Sequence, residues 1–200
     1  MKDNAREFIL KNLRQALSGT TIVATKPPMP PAESHFRLEH NPDMVLNFAQ
    51  KYMMSGGVLN YAASNGDVAD VLNAWIRANN IKDIDCGTLE LSQFLQNLDL
   101  ETRNFSAIGD QSHYGVLLCE CLVAWNGSVV ITSNCFQNKE KIVIPENTVL
   151  VAFSSQVARD LKSYTSPKGK EDSLPKQTLM LYPENLDHSK TQLLLIEDQN

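Results

Sequence analysis

The sequence GVLLCECLVAWNGSVVITS occupies residues 115–133 and carries the clearest structural signal in the chain. Two apolar runs within it, Cys121–Trp125 and Ser128–Thr132, flank the dipeptide Asn126-Gly127. Asn-Gly between strand-like runs is typical of a β-hairpin with a type I′ turn, since both residues tolerate a positive φ. Both runs are almost continuously apolar, which indicates strands covered on both faces. We therefore predict a hairpin at the centre of the domain, with helices and further strands around it.

Length, charge and composition limit the classes of protein to which the chain can belong. The chain has 200 residues, of which 42% are hydrophobic and 20% charged, enough for one globular domain with a full core. Its net charge of −5 disfavours non-specific binding to nucleic acid or to acidic membranes. The N-terminus is charged, unlike a signal peptide, and no apolar run approaches the ~20 residues of a membrane span. We therefore expect a cytoplasmic protein whose cysteines are reduced thiols.

The first 41 residues are predicted to form a helix attached to a proline-rich strap. Residues 20–41 contain four of the nine prolines, which predicts an extended and semi-rigid segment. The chain thus divides into residues 1–41 and an α/β domain over residues 42–200. The helix is predicted from four apolar residues that share one helical stripe: Ile9, Leu13, Ala16 and Leu17.

Residues 42–86 are predicted to form a helix followed by the strand–helix–strand unit of a parallel sheet. The first helix begins at Asn41-Pro42 and ends at Gly56-Gly57. The strand Val58–Ala63 then leads into a second helix, and the strand Ile81–Cys86 follows that helix. This order of elements is typical of α/β proteins.

The remaining elements are predicted from their periodicity. Thr88–Leu98 fits a helix by its 3.6 spacing or a strand through TLEL, and we favour the helix. Residues 99–114 are polar and are predicted to be a loop. Val149–Phe153 is a clear strand, which we expect to continue through residues 154–156 into a helix. Two further strands are predicted near the C-terminus: Thr178–Tyr182 and Gln192–Ile196.

Two predicted strand-to-helix junctions are candidates for binding a small anion. In a parallel sheet, both lie at the carboxyl ends of strands, where open α/β sheets bind ligands. Backbone amides at a helix start, with hydroxyl groups beside them, suit phosphate or carboxylate. Plain N-capping explains the same residues equally well. The candidate residues are Ser64, Asn65 and Gly66 at one junction, and Ser154, Ser155 and Gln156 at the other.

Glu120 is the best single candidate for catalysis. It lies between Cys119 and Cys121 in a very apolar run and is predicted to point to the face opposite the two thiols. An isolated buried carboxylate is costly, so it must be paired, hydrogen-bonded or lining a cavity. Two interpretations stay open: a carboxylate tied to protein donors, and an acid with a perturbed pKa that acts in chemistry.

The other chemically active side chains have simpler interpretations. Cys119 and Cys121 are predicted to share one face of a strand as small buried apolar residues, because no CxxC or histidine pair accompanies them. We therefore predict no metal site and no cofactor. His113 follows Asp110 in the polar loop, and we interpret it as a solvated loop histidine. No P-loop and no Gly-x-Gly-x-x-Gly occurs, so the usual nucleotide-binding fingerprints are missing.

Three segments resemble those of a known family. They are REFILKNLRQAL at residues 6–17, GVLLCECLVAWNGSVVI at residues 115–131 and IPENTVLVAFSSQVARDL at residues 144–161. In these segments the chain resembles the LUD-domain family, in the lactate-utilisation protein C group, as a divergent member. The resemblance implies an α/β three-layer sandwich with a mostly parallel sheet, similar to that of sugar-phosphate isomerases and CoA transferases.

The resemblance also assigns residues one by one. Glu120 takes the place of the family's core-strand Asp, and Gly127 that of its turn glycine. Asn126 and Ser128 replace two threonines, so these three turn residues join the candidate ligand set. Trp125 stands where the family usually has Asp or Glu. Two of the family's C-terminal segments have no match in KGKEDSLPKQ, residues 168–177, or in YPENLDHSK, residues 182–190.

The function implied by the resemblance is accessory. The chain would work with iron–sulfur partner subunits in the oxidation of L-lactate, and would bind a small anion or dock its partners. One alternative is a stand-alone enzyme similar to CoA transferases or sugar-phosphate isomerases, with Glu120 as acid/base or nucleophile. A structural remnant without a ligand is the third interpretation.

Overall fold

A six-stranded parallel sheet forms the middle layer of the protein. The computed structural model describes residues 43–102, 104–162 and 175–198. The helix and strap predicted for residues 1–41 lie outside these ranges. The strands within them are β1 (Leu59–Ala62), β2 (Asp83–Cys86), β3 (Asn104–Ala107), β4 (Tyr114–Leu118), β5 (Cys121–Val123), β6 (Ser128–Thr132), β7 (Asn147–Phe153), β8 (Val157–Ala158), β9 (Thr178–Leu181) and β10 (Thr191–Ile196).

The middle sheet has the strand order β1-β10-β7-β4-β2-β3, and every neighbouring pair is parallel. Its central strands contain continuous apolar runs because each face packs against a different core. In β7, Leu150 and Ala152 belong to one core, whereas Val149 and Val151 belong to the other. This alternation between two buried faces is the reason for the continuous hydrophobic runs. The predicted α/β class with a mostly parallel sheet is confirmed.

Within the described ranges, three α-helices cover the sheet: α1 (Met44–Met54), α2 (Asn65–Asn79) and α3 (Leu89–Gln96). Each begins at a side chain that accepts a hydrogen bond from the first turn, namely Asp43, Ser64 and Thr88. Helices α2 and α3 pack on one face of the sheet and α1 packs on the other. The helix favoured for residues 88–98 is therefore confirmed. None of the described helices is both long and apolar enough to pass through a membrane.

A second sheet, of order β8-β5-β6-β9, lies on the same face as α1. Leu122 of β5 and Val129 of β6 share a core with Phe48 and Tyr52 of α1. The predicted hairpin is thus present as β5 and β6, but it does not lie in the central sheet. The chain leaves the middle sheet after β4 and enters the second sheet at Glu120, whose main-chain N donates to Val130 O at 2.9 Å.

The turn of the hairpin is not type I′, so that prediction is wrong. Val123 pairs with Ser128, which leaves a four-residue loop over residues 124–127. Within it Gly127 has a positive φ, of 71°, but Asn126 does not. The physical reason is the length of the loop, because a type I′ turn closes a two-residue loop and this loop has four residues. Asn126 Oδ1 accepts from Ser128 N at 3.1 Å and from Ser128 Oγ at 2.7 Å, which forms a local side-chain turn around Gly127.

Two further predictions are corrected. The helix expected after Phe153 is instead a single 3₁₀ turn, Ser154–Gln156, followed by β8, in which Val157 pairs with Leu122 of β5. The apolar residues that suggested a helical stripe there serve a short strand equally well. Residues 99–114 are not all loop, since they contain β3. That edge strand exposes most of its side chains, so it lacks the apolar alternation that marks a strand.

Candidate functional site

Polar residues collect at one edge of the middle sheet, where its parallel strands end. Ser64 follows β1, Asp198 follows β10, Ser154 follows β7 and Glu120 follows β4. We call this the carboxyl edge. Open α/β sheets bind ligands at such an edge. The prediction that the Ser64 and Ser154 junctions lie at the same edge of a parallel sheet is confirmed.

Ser154 and Ser155 hold the carboxylate of Asp198 with three donors, and we call this pair of serines the carboxylate cradle. The Ser154 hydroxyl donates to Asp198 Oδ2 at 2.8 Å, and the main-chain N of Ser155 donates to the same oxygen at 2.6 Å. The Ser155 hydroxyl donates to Oδ1 at 3.1 Å. The position predicted for an external anion is therefore taken by a carboxylate of the chain itself.

The cradle favours the ionised form of Asp198. Burial raises the pKa of this carboxyl, but the hydrogen bonds from Ser154 and Ser155 favour the charged form and lower the pKa overall below its ordinary value. Asp198 is therefore ionised at neutral pH, and its hydrogen bonds are charge-assisted. Such bonds are shorter and stronger than those between neutral groups.

Gln156, the third residue predicted at this junction, has a structural role. Its side-chain oxygen accepts from the main-chain N of Phe153 at 2.7 Å, and its side-chain nitrogen donates to Cys119 O at 2.7 Å. One amide thus ties the end of β7 to the point where the neighbouring chain leaves the middle sheet. Both ends of that amide are engaged within the protein, so Gln156 positions the junction.

The Ser64 junction is separated from the cradle by β10, which lies between β1 and β7. Ser64 Oγ accepts from Asp67 N at 3.2 Å, and Asp67 Oδ2 accepts in turn from Ala63 N at 2.9 Å. This reciprocal pair satisfies the start of α2, as in a capping box. Asn65 and Gly66 are exposed in its first turn. The structure therefore gives Ser64 the N-capping role and does not bring it together with Ser154.

A groove of about 390 Å³ opens beside the cradle. Ser154 lines the groove and also belongs to the cradle. The groove also contains one charged group, Asp43, whose Oδ1 accepts from Val45 N at 3.0 Å and from Leu46 N at 3.2 Å. Its remaining lining is apolar: Met44, Val45 and Val157.

Glu120 is half-buried at the crossing between the two sheets. Its Oε2 accepts from the Thr132 hydroxyl at 3.1 Å and lies 4.0 Å from Cys135 Sγ. Thr132 and Cys135 are both buried. The carboxylate is therefore tied to protein donors, which is one of the two interpretations left open by the sequence. It also lies at the carboxyl end of β4, at the edge where open α/β sheets bind ligands.

The candidate turn residues lie away from the cradle. A β-carbon added at Gly127 would lie 2.7 Å from Tyr52 N, so the turn packs against the C-terminal turn of α1. That contact is about 10 Å along the helix from Val45 in the groove, at 1.5 Å per residue. Asn126 and Ser128 bond to each other, and Ser128 is fully buried. In the described part of the chain, these residues build the hairpin.

The cysteines are buried thiols. Burial raises the pKa of Cys119 well above its ordinary value, and raises those of Cys86 to about 12 and Cys121 to about 11. The interpretation of Cys119 and Cys121 as buried apolar residues is confirmed, but they do not share a face. Cys119 packs in the core beneath α1 and Cys121 on the other side of the second sheet, because the chain changes sheet between them.

The described part of the chain contains no cluster of metal-ligating side chains. No three of its His, Cys, Asp and Glu side chains are placed to hold a metal ion. His113 is 77% exposed, and its Nδ1 lies 3.9 Å from Glu146 Oε2, as expected of a solvated loop histidine. It precedes β4 and so lies at the opposite edge of the sheet. The residue that sequence reasoning missed is Asp198, since it lies 44 positions from Ser154 and no motif joins them.

The fold has a counterpart among solved structures. A crystal structure of a DUF162 family protein from Deinococcus radiodurans matches with a TM-score of 0.53 and 10% sequence identity. The match covers 78% of this chain and 98% of that chain. DUF162 is the LUD-domain family. No protein-family model and no curated protein matches this sequence. At this identity, the likeness shows a shared α/β fold.

Proposed function

We propose that this chain is a divergent LUD-domain protein that serves as an accessory component of a cytoplasmic L-lactate-oxidising system. The observation that carries the proposal is the shared fold, which extends over 98% of the DUF162 family protein. The three sequence segments that resemble the lactate-utilisation protein C group support it independently. In this proposal the iron–sulfur partner subunits carry the electrons, and this chain docks them or binds a small anion.

The state of the thiols supports an accessory role. All four cysteines are buried and free, and burial favours their protonated forms. Cluster ligands are thiolates, so the partners are the expected source of cluster-binding cysteines. The contribution proposed for this chain is then recognition at the carboxyl edge, where Ser154 and Ser155 present three donors to a carboxylate.

A stand-alone enzyme similar to CoA transferases or sugar-phosphate isomerases is the second candidate. The observation in its favour is Glu120, a half-buried carboxylate at the carboxyl end of β4 that is oriented by the Thr132 hydroxyl. A carboxylate so held is suited to act as an acid, a base or a nucleophile. If this candidate is correct, the purified chain alone turns over an acyl-CoA or a phosphosugar, and Glu120→Gln abolishes that turnover.

The proposal is tested by affinity purification of the tagged full chain from its native host grown on L-lactate. Mass spectrometry of the co-eluting proteins should identify cysteine-rich iron–sulfur proteins, and the eluate should contain iron in proportion to them. A parallel purification with an unrelated tagged protein is the control. Elution of the chain without any iron–sulfur protein would contradict the accessory role.

A further inference from the structure

The groove beside Ser154 leaves apolar side chains uncovered at the start of α1. Met44 is 44% exposed there, although its side chain is large and hydrophobic. Val45 and Val157 form the rest of the apolar lining, and Asp43 adds a negative charge. An apolar groove beside a negative charge suits a segment with apolar side chains on one face and basic side chains next to them.

The N-terminal part of the chain contains such a segment. The sequence predicts a helix over residues 4–17, which we call the N-terminal helix. Four of its apolar residues share one side: Ile9, Leu13, Ala16 and Leu17. They have the i, i+4, i+7 and i+8 spacing with which an amphipathic helix binds an apolar groove. An isolated helix of this length is marginal in water, so its apolar stripe needs a surface to pack against.

The place at which the chain enters the described structure favours this groove as that surface. Residues 1–42 precede Asp43, the first described residue, and Asp43 itself lines the groove. A chain as long as residues 20–41 reaches at most about 70 Å when fully extended, and about 25 Å on average as a coil. The N-terminal helix is therefore within reach of the groove, and its tether gives it an effective concentration there on the order of mM.

The charges of the two parts of the chain are complementary. Residues 1–17 contain four basic side chains and two acidic ones, whereas residues 42–200 contain 12 basic side chains and 19 acidic ones. Arg6 precedes Ile9 by three positions, so it extends the apolar stripe at its N-terminal end. The excess positive charge of the first segment is attracted to the acidic body of the protein, and the Asp43 carboxylate contributes to that attraction at the groove.

We propose that the apolar groove beside Ser154 is the docking site of the N-terminal helix of the same chain. In the docked state, the apolar stripe covers Met44, Val45 and Val157. Since Ser154 also lines the groove, the helix then lies over this end of the carboxyl edge. A ligand or partner that approaches the edge from this side meets the N-terminal helix first. The inference goes beyond the proposed function and does not depend on it.

Hydrogen exchange of the full chain, measured by mass spectrometry, tests the docking. The amides of residues 9–17 should exchange at least about tenfold more slowly than those of an unstructured chain. Leu13→Gln should abolish most of this protection, because burial of one leucine side chain changes a docking equilibrium about tenfold or more. Lys11→Gln is the control within the same helix and should keep the protection, since Lys11 lies about 160° around the helix axis from Leu13.

Met44→Gln tests the docking from the side of the groove. The loss of apolar contact should lower the protection of residues 9–17 about fourfold, which is the effect of roughly one buried methylene group. Met54→Gln is the matched control, because Met54 is 78% exposed at the other end of α1. Both methionines are exposed, so neither substitution should disturb the folded domain.

Three results would overturn the proposal. The first is exchange of residues 9–17 at the unstructured rate in the wild type. The second is equal protection in Met44→Gln and the wild type, which would place the N-terminal helix on another surface. The third is protection that rises with protein concentration, which would give the groove to the helix of a second copy. These measurements use the chain alone, so the claim about iron–sulfur partners is tested separately.

Discussion

Gly127 is a position at which a single methyl group should damage the fold. Its φ of 71° is a conformation that L side chains rarely adopt. A β-carbon there would lie 2.7 Å from Tyr52 N and 2.9 Å from Lys51 C, both of which are main-chain atoms of α1. Neither atom can move away without shifting the helix, so Gly127→Ala should force the hairpin and α1 apart.

The expected loss of stability follows from these two effects. Placing an L residue in the left-handed region costs roughly 1–2 kcal/mol. The overlap with α1 adds about 1–3 kcal/mol, as is usual when a packed contact is overfilled. A total near 3 kcal/mol corresponds to a fall in melting temperature of about 6–12 °C for a domain of this size. Thermal melts followed by circular dichroism measure it, and urea titration gives the free energy of unfolding.

Gly66→Ala is the matched control for this substitution. Gly66 lies in the first turn of α2, and a β-carbon there would meet only Ser64 Oγ, at an ordinary 3.6 Å. Alanine should therefore be neutral or stabilise the protein by about 0.5–1 kcal/mol. If Gly127→Ala melts within about 2 °C of the wild type, the packing of the hairpin turn on α1 is refuted.

Four further results are expected. The wild type should melt at a higher temperature than Asp198→Asn, and this difference should shrink as the pH falls from about 5 to 3. Folding lowers the pKa of Asp198, so its carboxylate stabilises the protein above the unfolded-state pKa of about 3.9 and stops doing so once it is protonated. A difference that does not change with pH would contradict the cradle. Gln156→Ala should destabilise by about 1–3 kcal/mol in urea titrations, since Phe153 N and Cys119 O lose their partner, and an unchanged midpoint would argue against that bridge. A thiol reagent at neutral pH should label none of the cysteines in the native protein and all of them in denaturant; fast native labelling would show that they are not buried. Elemental analysis should find no stoichiometric zinc or iron in the purified chain, and about one metal ion per chain would overturn that prediction.

The architecture of the sheet was predictable because its signals are local. The apolar runs in β7 and β10 indicate buried strands, and the serine and threonine that precede α2 and α3 mark helix starts. The 3.6 spacing in residues 88–98 was enough to choose helix over strand. Strand–helix order then predicted a parallel sheet, and with it a common edge for Ser64 and Ser154.

Assignment of the hairpin to a sheet was not predictable in the same way. The run through Cys119 and Cys121 looks like one continuous strand, since both β4 and β5 are buried on both faces. Nothing local marks Glu120 as the residue at which the chain changes sheet. The same limit applies to Val157 and Ala158, whose apolar spacing fits a helix as well as the short strand that pairs with β5.

The candidate site was predictable only in part. Ser154 and Ser155 could be proposed from their place after a strand, because the carboxyl ends of parallel strands share an edge. Their partner Asp198 could not, since the contact depends on β10 lying beside β7 and on the exact residue at which β10 ends. The groove has the same origin, because it joins the start of α1 to the end of β7.

The most direct test of the accessory role is the rate of L-lactate-dependent dye reduction by extracts of the native host. The rate is measured in cells grown on L-lactate, with and without a functional copy of this chain. We predict that loss of the chain lowers the rate to background and that the wild-type chain restores it, because the iron–sulfur partners depend on this component. An unchanged rate in extracts that lack the chain would contradict the proposed function.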